Sequence, residues 1–217
     1  QENNVDGIIL FGTIFTAAHR RFLDQLNIPV VILAQEEKGY SCIYSDDYTA
    51  AYDLGTHLAE KAEKVGMISV TSSDAAVGRN RRNGFLDAFK KAGIRIPKSY
   101  NRVSGFDAAS GEQETLALFK EHPDIDTLVC VTDTIASGAS RALRTLNKKV
   151  PKDVQLSGFG DSTVSEVLYP TLTTVHLYYE KAGSSAAAML LEHIASPEEP
   201  VNEMKFSYEI KIRESTR

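Results

Sequence analysis

The stretch DTLVCVTDTIASGA, residues 126–139, decides the fold class of this chain. Its first part is a short apolar run that predicts a buried strand, and its second part predicts a helix whose small residues, Gly138 among them, allow close packing. Thr132 and Asp133 lie where the strand would give way to the helix. In an open parallel sheet that junction belongs to the edge where ligands bind, but a Thr-Asp pair is also ordinary capping chemistry. Both interpretations of Asp133 stay open at this point.

The same alternation of strand and helix runs along the whole chain. Short β-branched runs predict strands at 5–12, 28–33, 41–45, 64–70, 100–105, 126–131, 154–159 and 171–175, with a last edge strand in MKFSYEIKIR, 204–213. Helical patterns lie near 14–26, 48–62, 79–92, 109–121, 134–147 and 178–194. This alternation predicts an α/β fold in which helices cover both faces of parallel sheets. No repeat or Pro/Gly-rich linker divides the chain, so any two lobes must interleave.

Composition and charge argue against several classes of protein. The net charge is −5, and the sequence contains no block of basic residues. We therefore do not expect this segment to bind DNA by itself. No apolar run approaches the roughly 18 residues that a membrane helix needs. Cys42 and Cys130 lie in apolar, strand-like runs, which predicts buried free thiols. We therefore expect a cytoplasmic protein without membrane contact, provided that Gln1 lies near the true start.

Signatures of enzymes, cofactors and metals are scarce. The chain lacks the nucleophile elbow, the H-E-x-x-H and C-x-x-C motifs and the P-loop. Gly158 and Gly160 follow a predicted strand, but Thr163 replaces the third glycine of a dinucleotide fingerprint. The five histidines show no metal-ligand spacing. We expect neither catalysis nor a cofactor nor a metal site.

Three arginines follow the predicted strand at 64–70. Arg79, Arg81 and Arg82 would lie in the first turn of the helix at 79–92, at the carboxyl edge of the sheet. Cations are disfavoured at a helix N-terminus, so this cluster suggests an acidic or hydroxyl-rich partner, although a solvated helix face is the alternative. The fork of arginine donors suits vicinal hydroxyls or a phosphate, and both kinds of ligand remain open.

Further candidates follow other predicted strands at the same edge. Phe106 either covers the core or packs against the apolar face of a sugar. Asp133 and Asp161 either face a ligand or cap a helix. Because no nucleophile–base pair accompanies these residues, the set predicts a site that binds a polar ligand without reacting with it.

The motifs VDGIIL, GRNRRNGFLDAF, VSGFDAASG, LVCVTDTIASGASRAL and VQLSGFGDS, in this order and with the ending KIRESTR, resemble the lactose/galactose-repressor family of bacterial transcription regulators. The block GFGDSTVSEVLYPTLTTVHLYY, 158–179, most resembles sucrose operon repressors of Gram-positive bacteria. The resemblance covers essentially the whole chain. It implies a periplasmic-binding-protein-like fold with two α/β lobes joined by three crossover strands.

The resemblance also implies lobe boundaries and segments ahead of Gln1. Residues 1–45 with 178–200 would form the first lobe, and 46–177 with 201–217 the second. A helix-turn-helix, a hinge and two βα units of the first lobe would precede Gln1. The first lobe would then be incomplete in this chain, and the DNA-binding helix-turn-helix would lie outside it.

Roles for individual residues come from the resemblance alone. Arg81 corresponds to the arginine that pairs with effector hydroxyls, and Phe106 to the aromatic residue that stacks on the sugar ring. Asp133 corresponds to the acid of an Asn-Asp pair, in which Thr132 replaces the amide.

Other positions match the family less closely. Gly160 stands where many members carry a sugar-binding acid, and Asp161 follows it. Tyr44 and Ser45 fall at the first crossover, near an aromatic contact of a relative. Arg79 is a further candidate for the ligand site.

The function implied is that of a sugar sensor. A sugar or sugar phosphate would bind between the lobes of a homodimer and change its affinity for operator DNA, with sucrose utilisation as the regulated process. One alternative is a secreted sugar-binding protein of a transport system, which would carry a signal peptide upstream. The other is an α/β enzyme acting on sugars or nucleotides, which would need a catalytic pair.

Overall fold

The structure is a computed structural model that describes residues 5–12 and 14–217. The chain forms two compact units, which are described separately. Unit 1 comprises Gln1–Asp46 and Tyr178–Ser207, and unit 2 comprises Asp47–Leu177 and Tyr208–Arg217. Residues 1–4 and 13 of the predicted first lobe lie outside the described residues.

Strands and helices alternate through most of the described chain. In chain order the strands are β1 (Ile8–Phe11), β2 (Val30–Leu33), β3 (Ser41–Ser45), β4 (Val65–Ser69), β5 (Asn101–Val103), β6 (Thr127–Cys130), β7 (Gln155–Ser157), β8 (Thr174–Leu177), β9 (Glu203–Phe206) and β10 (Tyr208–Lys211). The α-helices are α1 (Ala17–Leu23), α2 (Asp47–Ala59), α3 (Arg82–Lys91), α4 (Ala108–Glu121), α5 (Asp133–Thr145), α6 (Thr163–Val167) and α7 (Tyr179–Ala195). A π-helical turn, Ala75–Arg81, leads into α3, and a 3₁₀ turn, Lys98–Tyr100, leads into β5.

Unit 1 is built on a parallel sheet with the strand order β1-β2-β3-β9. Helix α7 packs on one face of this sheet, and its Ala182, Ala186 and Met189 meet Val31 and Ile43. The small side chains of α7 let the helix axis approach the strands closely.

Unit 2 is built on a parallel sheet with the strand order β5-β4-β6-β7. Two isolated parallel bridges, Ser157 with Thr173 and Gly160 with His176, connect the end of β7 and the loop after it to β8 and the residue before it. Strand β8 pairs antiparallel with β10. Residues of β4 and β6 alternate between two apolar clusters: Met67 and Val129 face α2 and α3, whereas Ile68 and Leu128 lie in the cluster with α4 and α5. Strands buried on both faces in this way explain the continuous apolar runs in the sequence.

The close packing expected from the small residues of α5 is confirmed. A Cβ atom on Gly138 would lie 2.0 Å from the carbonyl oxygen of Ala108 at the start of α4. The two helices therefore touch through their backbones at this point, which no larger residue permits.

The predicted final strand at 204–213 is divided between the two units. Strand β9 pairs with β3 in unit 1, whereas β10 pairs with β8 in unit 2. The chain changes sheets at Ser207, and the unbroken alternation of apolar and polar residues conceals this change. Residues 201–207, which were expected in the second lobe, lie in unit 1.

The α/β class with parallel sheets flanked by helices is confirmed. Among the described residues, no helix combines the length and the apolar character needed to cross a membrane. Cys42 and Cys130 are free and buried, as predicted, and burial raises the pKa of both thiols.

Candidate functional site

The candidate site lies at the carboxyl edge of the unit 2 sheet. Four loops leave the sheet there, at 70–74, 104–107, 131–132 and 158–162, after β4, β5, β6 and β7 respectively. In an open parallel sheet this edge is where ligands bind, because the loops and the helix N-termini that follow them converge there. The candidate residues of unit 2 lie on these loops or on the helices that the loops introduce.

Arg81 is fixed at this edge from three sides. Its Nε donates to Asp47 Oδ1 at 2.7 Å, and its Nη1 donates to the carbonyl oxygen of Val131 at 3.0 Å. Its guanidinium carbon lies 4.0 Å from the centre of the Phe159 ring, a cation–π contact. Val131 follows β6 and Phe159 follows β7, so these contacts hold the guanidinium at the ends of two strands.

The π-helical turn determines where Arg81 lies. Asp74 caps the turn, because its Oδ1 accepts from the backbone N–H groups of Val77 at 2.7 Å and Gly78 at 3.4 Å. The prediction that the arginines lie in the first turn of their helix was therefore wrong for Arg79 and Arg81, which lie in the last turn of the π-helical segment, whereas Arg82 is the first residue of α3. Turns of this type occur often at functional sites, since the additional residue rotates the side chains that follow.

Only one of the three arginines is held against the sheet edge. Arg81 is buried, whereas Arg79 is exposed and Arg82 is half-buried, with its Nη1 donating to Asn83 Oδ1 at 3.3 Å. Close backbone packing supports this arrangement, because a Cβ atom on Gly78 would lie 1.9 Å from the Thr71 carbonyl oxygen.

Asp133 braces unit 2 from within. Its Oδ2 accepts from the Ser162 backbone N–H at 2.7 Å and from Ser162 Oγ at 3.0 Å, and its Oδ1 accepts from Thr174 Oγ1 at 2.6 Å. The residue is 2% exposed. The carboxylate ties α5 to the loop after β7 and to β8, and it does not cap α5, which was one of its two expected roles.

Thr132 takes the capping role that was considered for Asp133. Its Oγ1 accepts from the Ile135 backbone N–H at 3.2 Å, and its backbone is extended, as an N-cap requires. Thr132 is half-buried at the end of the loop after β6, so the edge presents a hydroxyl where the resemblance implies an amide.

Phe106 is 46% exposed on the loop after β5. A ring this exposed does not cover the core, which removes one of its two predicted roles. The next residue, Asp107, caps α4 by accepting from the Ser110 backbone N–H at 2.8 Å. That hydrogen bond, together with one from the Ser110 hydroxyl, holds the pKa of the Asp107 carboxyl below its usual value.

Asp161 is directed into an ion cluster of unit 2. Arg213 Nη2 lies 2.6 Å from its Oδ1, His176 Nδ1 lies 2.9 Å from its Oδ2, and Ser165 Oγ donates to Oδ1 at 3.1 Å. Burial alone would raise the pKa of this carboxyl, but the hydrogen bonds from Arg213 and His176 outweigh burial and hold it below its usual value. Asp161 adopts a left-handed backbone with φ 51°, which lets the side chain turn inward.

Tyr44 and Ser45 end β3 in unit 1, and both are half-buried. Burial raises the pKa of the Tyr44 hydroxyl, so it remains a neutral donor at physiological pH. The next residue, Asp46, pairs with Lys205 at 3.1 Å.

Several residues of the site had no recognisable signal in the sequence. Asp47 looks like the first residue of an ordinary helix, and Phe159 looks like one more apolar strand residue. Only the folded chain shows that both hold Arg81. Arg213 lies in the KIRESTR ending that carried the family resemblance, but its pairing with Asp161 spans 52 residues.

Unit 1 contains a separate concavity of about 610 Å³ at the amino ends of β2 and β3. It is lined by the end of α1, the loops before β2 and β3, and the end of α7. On this wall Ser41 Oγ lies 2.8 Å from His193 Nε2. Among the described residues, no group of three or more His, Cys, Asp and Glu side chains is arranged to hold a metal ion.

Comparisons with known proteins agree with this architecture. The periplasmic binding protein-like domain matches residues 56–216. The HTH-type transcriptional regulator TreR of Salmonella typhimurium is 29% identical over 195 residues, covering 89% of this chain and 59% of that protein. The sucrose operon repressor of Staphylococcus xylosus is 28% identical over 193 residues, covering 88% of this chain and 59% of the repressor. The solved transcriptional regulator CelR–cellobiose complex superposes with a TM-score of 0.91 at 24% identity, over 99% of this chain and 67% of that one.

The chain thus spans 59% of the length of these two curated relatives. Its likeness to the CelR complex confirms the predicted periplasmic-binding-protein-like fold. The relatives are transcriptional regulators and not enzymes, which confirms the resemblance to the lactose/galactose-repressor family.

Proposed function

The chain belongs to the periplasmic binding protein-like domain family, and from this premise we propose that it is the sugar-binding domain of a bacterial transcriptional repressor. The observation that carries the proposal is the fixed guanidinium of Arg81 at the carboxyl edge of the unit 2 sheet. A preorganised donor fork loses little freedom when a pair of hydroxyls binds it.

Two further residues of this edge suit a sugar. The exposed ring of Phe106 offers a flat apolar surface for the C–H face of a pyranose or furanose. Thr132 offers a hydroxyl at the same carboxyl edge of the sheet as Arg81. In unit 1, Tyr44 and Ser45 at the end of β3 remain candidate contacts.

The remaining candidates take supporting roles in this proposal. Asp133 positions the loop after β7, and Asp161 positions β8 through His176 and Arg213. Arg79 is exposed and lies beside the arginine that the edge holds. The ligand contacts that we propose for unit 2 are therefore Arg81, Phe106 and Thr132.

The relatives indicate which sugars to test first. One is a sucrose operon repressor, and a structure of similar fold is a cellobiose complex. Disaccharides and their monosaccharide components are therefore the first candidates, with sucrose utilisation as the regulated process.

In the intact regulator we propose a cytoplasmic homodimer that reads operator DNA through a helix-turn-helix outside these 217 residues. The sugar changes operator affinity only as far as it binds one conformation of the dimer more tightly than the other. No chemical step is part of this function, since a sensor needs reversible binding.

Calorimetric titration of the 217-residue chain with sucrose, fructose, glucose, trehalose and cellobiose tests the proposal. We expect saturable binding of one sugar, weakened about tenfold in Phe106→Ala because the stacking surface is lost. Phe22→Ala removes a more exposed ring from α1 and should leave binding unchanged.

Arg81→Lys keeps a positive charge beside Asp47 but removes the fork of donors, so we expect affinity to fall at least about tenfold. Arg144→Lys, at the exposed end of α5, is the matched control. The proposal would be contradicted if the folded chain bound none of the sugars. It would also be contradicted if Phe106→Ala and Arg81→Lys both left sugar binding unchanged.

A further inference from the structure

We infer that the ligand of this edge is an uncharged sugar and that the site selects against the phosphate ester of the same sugar. This inference rests on the proposed sugar-binding function and adds the charge class of the ligand. Arginine alone does not decide between the two classes, since its donors serve hydroxyls and phosphates. The charges that surround Arg81 do decide.

The positive charge of Arg81 is already balanced inside the protein. Asp47 Oδ1 lies 2.7 Å from Arg81 Nε, and the two side chains are only 5% and 7% exposed. A phosphate at Arg81 would place its negative charge close to the Asp47 carboxylate where little water screens the repulsion. Sugar hydroxyls accept from the same guanidinium without adding charge.

Carboxylate side chains also lie at the helix N-termini of this edge. Helix N-termini commonly bind phosphate, because their free N–H groups and dipole attract an anion. Here Asp74 accepts from N–H groups of the π-helical turn, Asp107 accepts from an N–H group of α4, and Asp133 is the first residue of α5. A phosphate would have to compete with a capping carboxylate at the first two starts, and at the third it would approach the buried Asp133 carboxylate.

The buried charges of unit 2 are predominantly negative. In this unit, within the described residues, the buried charged side chains are Asp47, Asp74, Asp133 and Arg81. Buried charges are screened much less than the exposed Arg79. Arg213, which reaches the loop after β7, pairs with Asp161 at 2.6 Å. Within the described residues, Arg81 and Arg213 are thus each paired with a carboxylate of the protein.

Matched calorimetric titrations of the chain test the inference. The pairs are sucrose and sucrose 6-phosphate, trehalose and trehalose 6-phosphate, glucose and glucose 6-phosphate, and fructose and fructose 6-phosphate, at about 150 mM salt. We expect the free sugar to bind at least about tenfold more tightly than its phosphate. Tighter binding of the phosphate would overturn the inference but leave the sugar-sensing function standing. Failure of a folded chain to bind either member of any pair would overturn the proposed function itself.

A charge variant tests the cause. Asp74→Asn keeps the helix cap, since Asn and Asp cap equally well, but it removes one buried negative charge. We expect this variant to raise the affinity for the phosphate relative to the free sugar by about tenfold. Asp124→Asn, in the loop that leads to the amino end of β6, removes an exposed negative charge that pairs with Lys64 at the opposite edge and should leave the ratio unaltered. An unchanged ratio in Asp74→Asn would contradict the electrostatic origin of the selectivity.

Discussion

Replacing Asp133 by Asn should destabilise unit 2 although the two side chains have the same shape. The Asp133 carboxylate accepts three hydrogen bonds, two from Ser162 at 2.7 and 3.0 Å and one from Thr174 Oγ1 at 2.6 Å. An amide has one oxygen, so one of these donors would face an NH₂ group. The residue is 2% exposed, which leaves little room for water to replace the lost acceptor.

The expected cost follows from the strength of charged hydrogen bonds. Each hydrogen bond to a carboxylate contributes about 1 kcal/mol more than its neutral counterpart, which gives about 3 kcal/mol for three bonds. Burying a neutral amide costs less than burying a carboxylate, and this difference offsets part of the loss. We therefore expect Asp133→Asn to lower the free energy of unfolding by about 2 kcal/mol.

Urea unfolding followed by circular dichroism measures this effect. Asp107→Asn is the matched control, because Asp107 is exposed and caps α4, and Asn caps equally well. The control should change stability by less than about 0.5 kcal/mol. If Asp133→Asn were as stable as the wild type and yet lost sugar binding, the carboxylate would face the ligand and the bracing role assigned to it would be wrong.

Three further predictions concern packing, acid stability and thiol reactivity. Gly78→Ala should lower the free energy of unfolding by about 3 kcal/mol in urea, whereas Gly183→Ala, whose added Cβ meets nothing within 4 Å, should leave stability unchanged or raise it. Because Arg213 and His176 hold the folded pKa of Asp161 below its unfolded value of about 3.9, their stabilisation is complete above that pH and is lost below it. The stability difference between wild type and Arg213→Gln should therefore shrink between about pH 6 and about pH 2.5, and a constant difference would count against the pairing. Since burial raises the pKa of both thiols, Ellman's reagent should label neither cysteine in the native protein at about pH 8 and both in urea; rapid native labelling would show that a thiol is accessible.

The fold was predictable because its signals are local. Strands buried on both faces must be continuous apolar runs, as DTLVCV is, and helices that pack closely on them need small residues such as Gly138. The change of sheets at Ser207 was not predictable, since both strands around it alternate in the same way. The start of the helical segment ahead of Arg81 was missed for a similar reason: the loop TSSD offers several residues that cap well, and only the fold selects Asp74.

The direction of side chains at the strand ends was also beyond the sequence. Asp133 and Asp161 each follow a strand and look equally suited to a ligand. Their partners, Thr174 and Arg213 among them, come from segments distant in the chain, so no local pattern shows that both carboxylates turn inward. The prediction for Arg81 depended on its position at the carboxyl edge, which follows from topology alone.

Hydrogen–deuterium exchange of the chain with and without the sugar that binds in the titrations tests the central claim most directly. If the sugar binds at the carboxyl edge of the unit 2 sheet, exchange should slow in the segments 70–81, 104–107 and 131–133. The claim would be contradicted if exchange stayed unchanged at the unit 2 edge and slowed instead around the concavity of unit 1, at Tyr40, Ser41 and His193.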